Sequence, residues 1–191
     1  METILGIAVG IGLSAACGFR IFVPLLIMNL AVLSGQIQMP AGFAWIGSTY
    51  ATIAFASATV IEVLAYYIPG VDHILDIIAA PAAVIAGTIT TASMGMELSP
   101  FLKWTLALIA GGGVAGLVQG ATVALRAKSS LATAGTGNPL VATLELIGAI
   151  IVALLAIILP IVCLILIVLF FFFAVRKMGR FIFGRRQTKN G

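Results

Sequence analysis

Residues 139–175 read PLVATLELIGAIIVALLAIILPIVCLILIVLFFFFAV, 37 positions in which Glu145 is the one charged side chain. A hydrocarbon core about 30 Å thick is crossed by roughly 20 helical residues, whereas one straight helix of this length would measure about 55 Å. The stretch therefore predicts two spans that turn at Pro160, with one long tilted helix as the alternative because no polar residue marks the turn. Barrel strands would alternate polar and apolar residues in segments of about ten, and no such alternation occurs. The fold class read from this stretch is all-α, a polytopic transmembrane helix bundle.

The rest of the chain agrees. Of 191 residues 62% are hydrophobic and 8% charged, against about 25% charged in soluble domains. Residues 3–33 form a first apolar run of about 46 Å as a straight helix, with Gly18 and Pro24 flanking Phe19 and Arg20; a broken or kinked first helix is expected there. Residues 13–17 faintly resemble a lipoprotein cleavage site but lack a basic leading region, so the segment is read as a membrane helix. After a polar linker at 35–42, the second span runs from Ser48 to Ile68 and stops at Pro69-Gly70. The third runs from Asp72 to Ser93 and is followed by a loop containing Glu97. The fourth covers residues 101–125 and ends at a loop with Arg126 and Lys128, before a Ser/Thr/Gly-rich linker at 129–138.

This gives about six spans in a single transmembrane domain, residues 1–191, with possible halves 1–97 and 98–178. Six of the ten basic residues fall in a tail at 176–191: Arg176, Lys177, Arg180, Arg185, Arg186 and Lys189. A basic tail after an apolar helix is a cytoplasmic signature. It accounts for the pI near 9.4 without nucleic acid as a partner. Six crossings then put both termini in the cytoplasm of a cell bounded by this inner (plasma) membrane. The Arg126/Lys128 loop joins the tail, which leaves Lys103 outside and Arg20 within the membrane.

Two Gly/Ala-rich runs, 5–23 and 107–125, are each followed by a span with a similar string, ATVIE ending at Glu62 and ATLE ending at Glu145, and each such span ends at a proline. Three spans per half would make the halves inverted repeats, a plan common in transporters.

Arg20 is the residue most in need of explanation, since a guanidinium at mid-membrane costs roughly 2.5–3.5 kcal/mol even on the mildest insertion scale. Glu62 and Glu145, each inside an apolar span, are its candidate partners. Either the three line a polar cavity that binds an anion or relays protons, or they form an ion pair that pins helices. Asp72 and Asp76 lie one turn apart on one helix face with His73 turned about 100° away. They could hold a cation or exchange protons, or Asp72 could cap the helix. One His without a nearby Cys is too poor a ligand set for zinc, so any metal is left unknown. Glycines 111–113 make a small-residue packing face, and an unwound turn there would expose carbonyls to an ion at Gly112. Cys17 and Cys163 sit in apolar runs as core residues. No nucleophile elbow, phosphate loop or paired-histidine motif is present, so neither an enzyme nor a cofactor is expected.

The strings AACGFR at 15–20, Phe22-Val23-Pro24, Glu62 with YYIP at 66–69, Asp72, Asp76, APA at 80–82, AGGG at 110–113, GNP at 137–139 and Glu145 together resemble a family of bacterial multi-pass membrane proteins classed as domain of unknown function 4126 (DUF4126). The likeness covers roughly residues 3–160 and implies a multi-pass membrane protein without an assigned activity or assigned residues. The functional expectation is a small transporter or channel, homo-oligomeric because so short a chain encloses only a narrow cavity, moving an ion or small solute at a polar site near mid-membrane. Its binding residues would be Arg20, Glu62, Asp72, Asp76, Glu145 and Gly112. The alternatives are a membrane scaffold or assembly factor whose buried charges only lock helices and, less favoured, an intramembrane enzyme using Asp72, His73 and Asp76.

Overall fold

A computed structural model describes residues 2–68, 70–94 and 98–184; the side chains of residues 2, 73 and 178–184 lie outside that description. The expected break at Pro69, the Glu97 loop, the His73 side chain and the basic side chains from Arg180 onward therefore fall outside the described residues.

The chain is all-helical. Its elements are α1 (Glu2–Phe19), α2 (Phe22–Leu33), a 3-10 helix (Ala41–Gly47), α3 (Thr49–Ala65), α4 (Val71–Ser93), α5 (Pro100–Leu106), a π-helical turn (Ala107–Gly112), α6 (Gly113–Thr133), α7 (Asn138–Ile158) and α8 (Pro160–Gly184). Boundaries follow local chemistry. The hydroxyl of Ser48 accepts the N–H of Ala51 to start α3, a side-chain cap of the usual kind. Ser99 caps α5 in the same way, with Pro100 in its first turn. Pro160 settles the long apolar stretch: the residue before it, Leu159, is pushed out of the helical region (φ −133°, ψ 65°). Two helices result, and α8 folds back on α7 so that Cys163 Sγ lies 3.8 Å from the Val152 carbonyl.

Among the described residues four helical stretches are long and apolar enough to cross a membrane, Ile74–Ser93, Pro100–Thr133, Asn138–Ile158 and Pro160–Lys177, and a fifth arises if the 3-10 helix and α3, bent by 59°, are one span. Residues 3–33 break around Arg20 into two half-helices, as expected, and each is shorter than a span. Ser14 on α1 hydrogen-bonds the Gly87 carbonyl at 2.6 Å, while a Cβ at Gly6 would lie 3.7 Å from Met94 and one at Gly148 3.8 Å from Phe19. Thus α1 is antiparallel to α4 and α7. On α2, the Phe22 N–H meets Glu62 near the end of α3, Asn29 meets Ile46 in the 3-10 helix and Thr52 near the start of α3, and Met28 lies against Ser93. The chain doubles back at Arg20 and Ile21.

Small residues allow this hairpin to pack. A Cβ at Gly12 would come within 2.5 Å of Ala156 Cβ, one at Gly18 within 2.5 Å of Val118 Cβ, and one at Gly87 within 2.6 Å of Ala115 Cβ. Close backbone approach is what holds apolar helices together where lipid offers no hydrophobic drive. The same contacts orient the bundle. The ends of α3 and α6 and the starts of α4 and α7 share one end with the hairpin apex, and α8 runs toward that end, bringing Phe170 and Phe171 beside Phe19. The start of α1 lies at the other end.

Residues 129–133 differ from the expected linker. They continue α6, because the Thr133 hydroxyl donates to the Ser129 carbonyl and accepts the Gly137 N–H, leaving a turn of only 134–137 with left-handed Ala134 and Gly135.

Candidate functional site

The hairpin apex carries the buried charges. Where α1 ends, the N–H groups of Ile21 and Phe22 begin α2 with no intrahelical acceptor. Glu62, reaching over from α3, accepts both, at 2.8 and 3.1 Å. Its carboxylate therefore caps a helix other than its own, where the N-terminal end of the helix dipole favours a negative charge.

Arg20, one residue before this cap, has 1% of its side chain exposed and points the other way, to α7. Its Nη2 donates to the Ala142 carbonyl at 3.0 Å and lies 3.3 Å from Glu145 Oε2. The same Glu145 oxygen accepts Arg126 Nη2, and Arg126 Nη1 reaches Asp76 Oδ1 at 2.5 Å. Both guanidinium groups lie over the ring of Tyr66, at 3.8 Å for Arg20 and 4.3 Å for Arg126, while the Tyr66 hydroxyl donates to Asp76 at 3.3 Å. Cation–π contacts of this kind strengthen as the pair is desolvated.

The bonding is incomplete. Four of the five buried side-chain polar atoms without a hydrogen-bond partner among the described residues belong to this cluster: Arg20 Nε and Nη1, Arg126 Nε and Glu145 Oε1. A buried donor or acceptor left unmade costs about 1–3 kcal/mol, more for charged groups, so their concentration in one place is informative. Crevices flank the cluster on both sides of α4. One, of about 410 Å³ between α4 and α6, has Asp76 and Arg126 in its wall with Ala80 and Gly120. The other, of about 300 Å³, brings Glu62 and Tyr66 to a surface otherwise lined by apolar side chains of α2, α3 and α4.

Of the residues singled out in the sequence, Arg20, Glu62, Asp76 and Glu145 come together. Asp72 sits a turn nearer the bundle end, 1% exposed. Its carboxylate accepts the Gly70 N–H at 3.0 Å and Asn138 Nδ2 at 2.7 Å, which ties the start of α4 to the start of α7, and the same Asn138 amide donates to Ser130 near the end of α6. No group of three or more potential metal-ligating side chains occurs among the described residues. Gly112 lies in the π-helical turn and faces α4, where a Cβ would come 2.6 Å from Thr88 Oγ1 and 3.1 Å from the Val84 carbonyl; it packs helices and does not touch the charged cluster.

The residue the sequence reading misplaced is Arg126. It is not in a loop with Lys128: it is 3% exposed inside α6, while Lys128 is exposed. A signal existed, since Gln119, Thr122 and Arg126 recur at helical spacing and are all buried. Tyr66, one turn after Glu62, was likewise legible as sharing its face.

The cluster lies about 5–10 Å below the turns at that end of the bundle, counting three residues from Glu62 to the end of α3 and seven from Asn138 to Glu145.

A family model described as domain of unknown function (DUF4126) matches residues 7–180, and the chain belongs to that family. No curated protein and no solved structure matches it.

Proposed function

We propose that this DUF4126 protein is a small membrane transporter or channel, and that the Arg20–Glu145–Arg126–Asp76 cluster binds the ion or small solute it moves. The observation that carries the reading is the concentration of unpartnered, buried N–H and carboxylate groups at one place, beside a crevice walled by Asp76 and Arg126. A scaffold that used charges only to lock helices would be expected to pair them fully, because each buried charge left incomplete weakens the lock. Glu62 and Asp72 are architectural in this reading, one capping the hairpin and the other joining α4 to α7.

In this proposal five crossings accompany a re-entrant α1–α2 hairpin. The basic tail assigns the end bearing the cluster to the cytoplasm, with the start of α1 on the far side. The inverted-repeat reading gains support from Glu62 and Glu145, which approach the hairpin apex from α3 by its C-terminal end and from α7 by its N-terminal end. Assembly into a homo-oligomer follows from the small size of one bundle.

The test is uptake of a broad panel of ions and small solutes into proteoliposomes by wild type, Arg20→Ala and Arg126→Gln. At least one solute should enter above the protein-free rate, and both variants should lose that uptake. Uptake of nothing by the wild type, or equal uptake by all three proteins, would sink the proposal.

A further inference from the structure

We propose that the crevice between α4 and α6 is a binding site for one phospholipid, whose ester carbonyl accepts the Nε–H of Arg126 while an acyl chain lies along the small residues of α6. The inference goes beyond the transport reading and does not depend on it.

The crevice measures about 410 Å³ and opens on the outer face of the bundle: of its lining, Ile77 is 75% exposed, and Ala80, Gly120 and Ala127 are exposed as well. In a chain that crosses a bilayer, that face meets lipid. The lining is not purely apolar, because Asp76 and Arg126 form part of the wall. Ionised side chains beside hydrocarbon are costly, so the occupant that fits is an amphiphile, polar at one end and apolar at the other. Arg126 is 3% exposed, its Nη1 and Nη2 are turned to Asp76 and Glu145, and its Nε–H has no acceptor among the described residues. Gly120, in the middle of α6, has nothing within 4 Å of the position a Cβ would take. A glycine weakens a helix interior, and no neighbour in this bundle uses the room that it leaves.

Depth selects the acceptor. The cluster lies about 5–10 Å below the turns at its end of the bundle, and the polar layer of a bilayer adds roughly 5–8 Å to each side of the hydrocarbon core. The ester groups of glycerophospholipids mark that boundary. An ester carbonyl is neutral, so it satisfies a guanidinium N–H without bringing a further charge into the cluster, and the arrangement asks nothing of Asp76. From Arg126 the acyl chain runs away from the helix end, past Val123 and Ala80 toward Gly120. Lys128, exposed on α6 one residue beyond Ala127, stands on the headgroup side, where an ammonium attracts lipid phosphate. A phospholipid seated in this way closes the lipid-facing side of the cluster.

The full chain, purified in mild detergent and stripped of lipid, is titrated with dioleoyl phosphatidylethanolamine or with the diether lipid of the same headgroup and chain length, which lacks the carbonyls. Native mass spectrometry counts bound lipid and copies of the chain. Wild type should take up one diester lipid per chain and bind the diether lipid about tenfold less tightly, the loss expected for one charge-assisted hydrogen bond. Gly120→Leu fills the crevice from a position whose Cβ meets no neighbour, and should bind both lipids at least about tenfold less tightly than wild type. Gly113→Leu, equally free of neighbours but outside the crevice, should bind as wild type does. Equal affinity for diester and diether lipid, or no diester lipid held by wild type, overturns the proposal. So does lipid binding that survives Gly120→Leu, or a dimer of the chain that excludes lipid. Should Gly120→Leu not yield monodisperse protein, the comparison of the two lipids on wild type decides alone.

Discussion

The carboxylate of Glu62 on α3 accepts the backbone N–H of Ile21 at 2.8 Å, so the first turn of α2 is completed by a side chain 41 residues away in sequence. A hairpin of two short apolar helices can turn inside the bundle because the N–H groups left open at its apex meet the two carboxyl oxygens of Glu62.

That relationship makes Glu62 a stability residue first. Glu62→Ala should lower the unfolding free energy of the purified protein by about 2 kcal/mol, the range for losing a cap and a charge-assisted bond together. Glu62→Gln keeps an acceptor and should lose less. Unfolding in graded denaturing detergent measures both, and an unchanged midpoint for the alanine variant would be incompatible with the cap.

Arg126 has the opposite character, since its removal leaves carboxylates behind. Arg126→Met should cost about 3–5 kcal/mol, the penalty for stranding a buried partner. Adding Glu145→Leu should return part of it, so the two losses combined fall short of their sum by about 0.5–3 kcal/mol. Strict additivity in the double-variant cycle would mean that the two side chains do not interact.

Glycines divide into two kinds. A methyl group at Gly18 would stand 2.6 Å from the Ala115 carbonyl, whereas at Gly113 it meets nothing within 4 Å. Gly18→Ala should therefore abolish or sharply reduce recovery of folded protein. Gly113→Ala should be neutral or stabilise by up to about 1 kcal/mol from helix propensity alone. Similar melting curves for the two variants would contradict the helix packing described for α1.

The hairpin can be tested by labelling. Cys17 and Cys163 are buried, at 0% and 1% exposure, and should react little with a membrane-impermeant maleimide in intact vesicles. Gln36→Cys, just after α2, and Thr136→Cys, in the α6–α7 turn, should then label from opposite sides. Labelling of both from one side would refute the helix directions.

Helices were legible in the sequence because membrane spans announce themselves by composition, and Pro160 marked its turn through a rule that acts on a single preceding residue. Arg20, Glu62 and Glu145 were legible as partners because charge inside apolar runs demands them, whereas Asp76 was read with Asp72, one turn away on the same helix face. Arg126 was not legible, since it lies seven residues from the end of α6 and an arginine near a helix end ordinarily reaches for the interface. Only the depth at which α4 and α7 meet α6 turns it inward. The hairpin was also hidden: a kink and a reversal share the same glycine and proline, and what separates them is the distant Glu62 and the small residues that admit α1 between α4 and α7.

The π-helical turn at Ala107–Gly112 bears on how one span can serve two neighbours. An α-helix advances about 100° per residue, and a π turn accommodates one residue more than an α turn. Above it, α5 sets Lys103 over the Phe43 ring at 4.9 Å and Trp104 within 6.3 Å of the same ring. Below it, α6 turns Arg126 onto Asp76. The extra residue acts as an angular offset between these two dockings. Excising it would leave an unbroken helix able to satisfy the aromatic contact at one end or the ion pair at the other, about a quarter-turn out of phase with both at once.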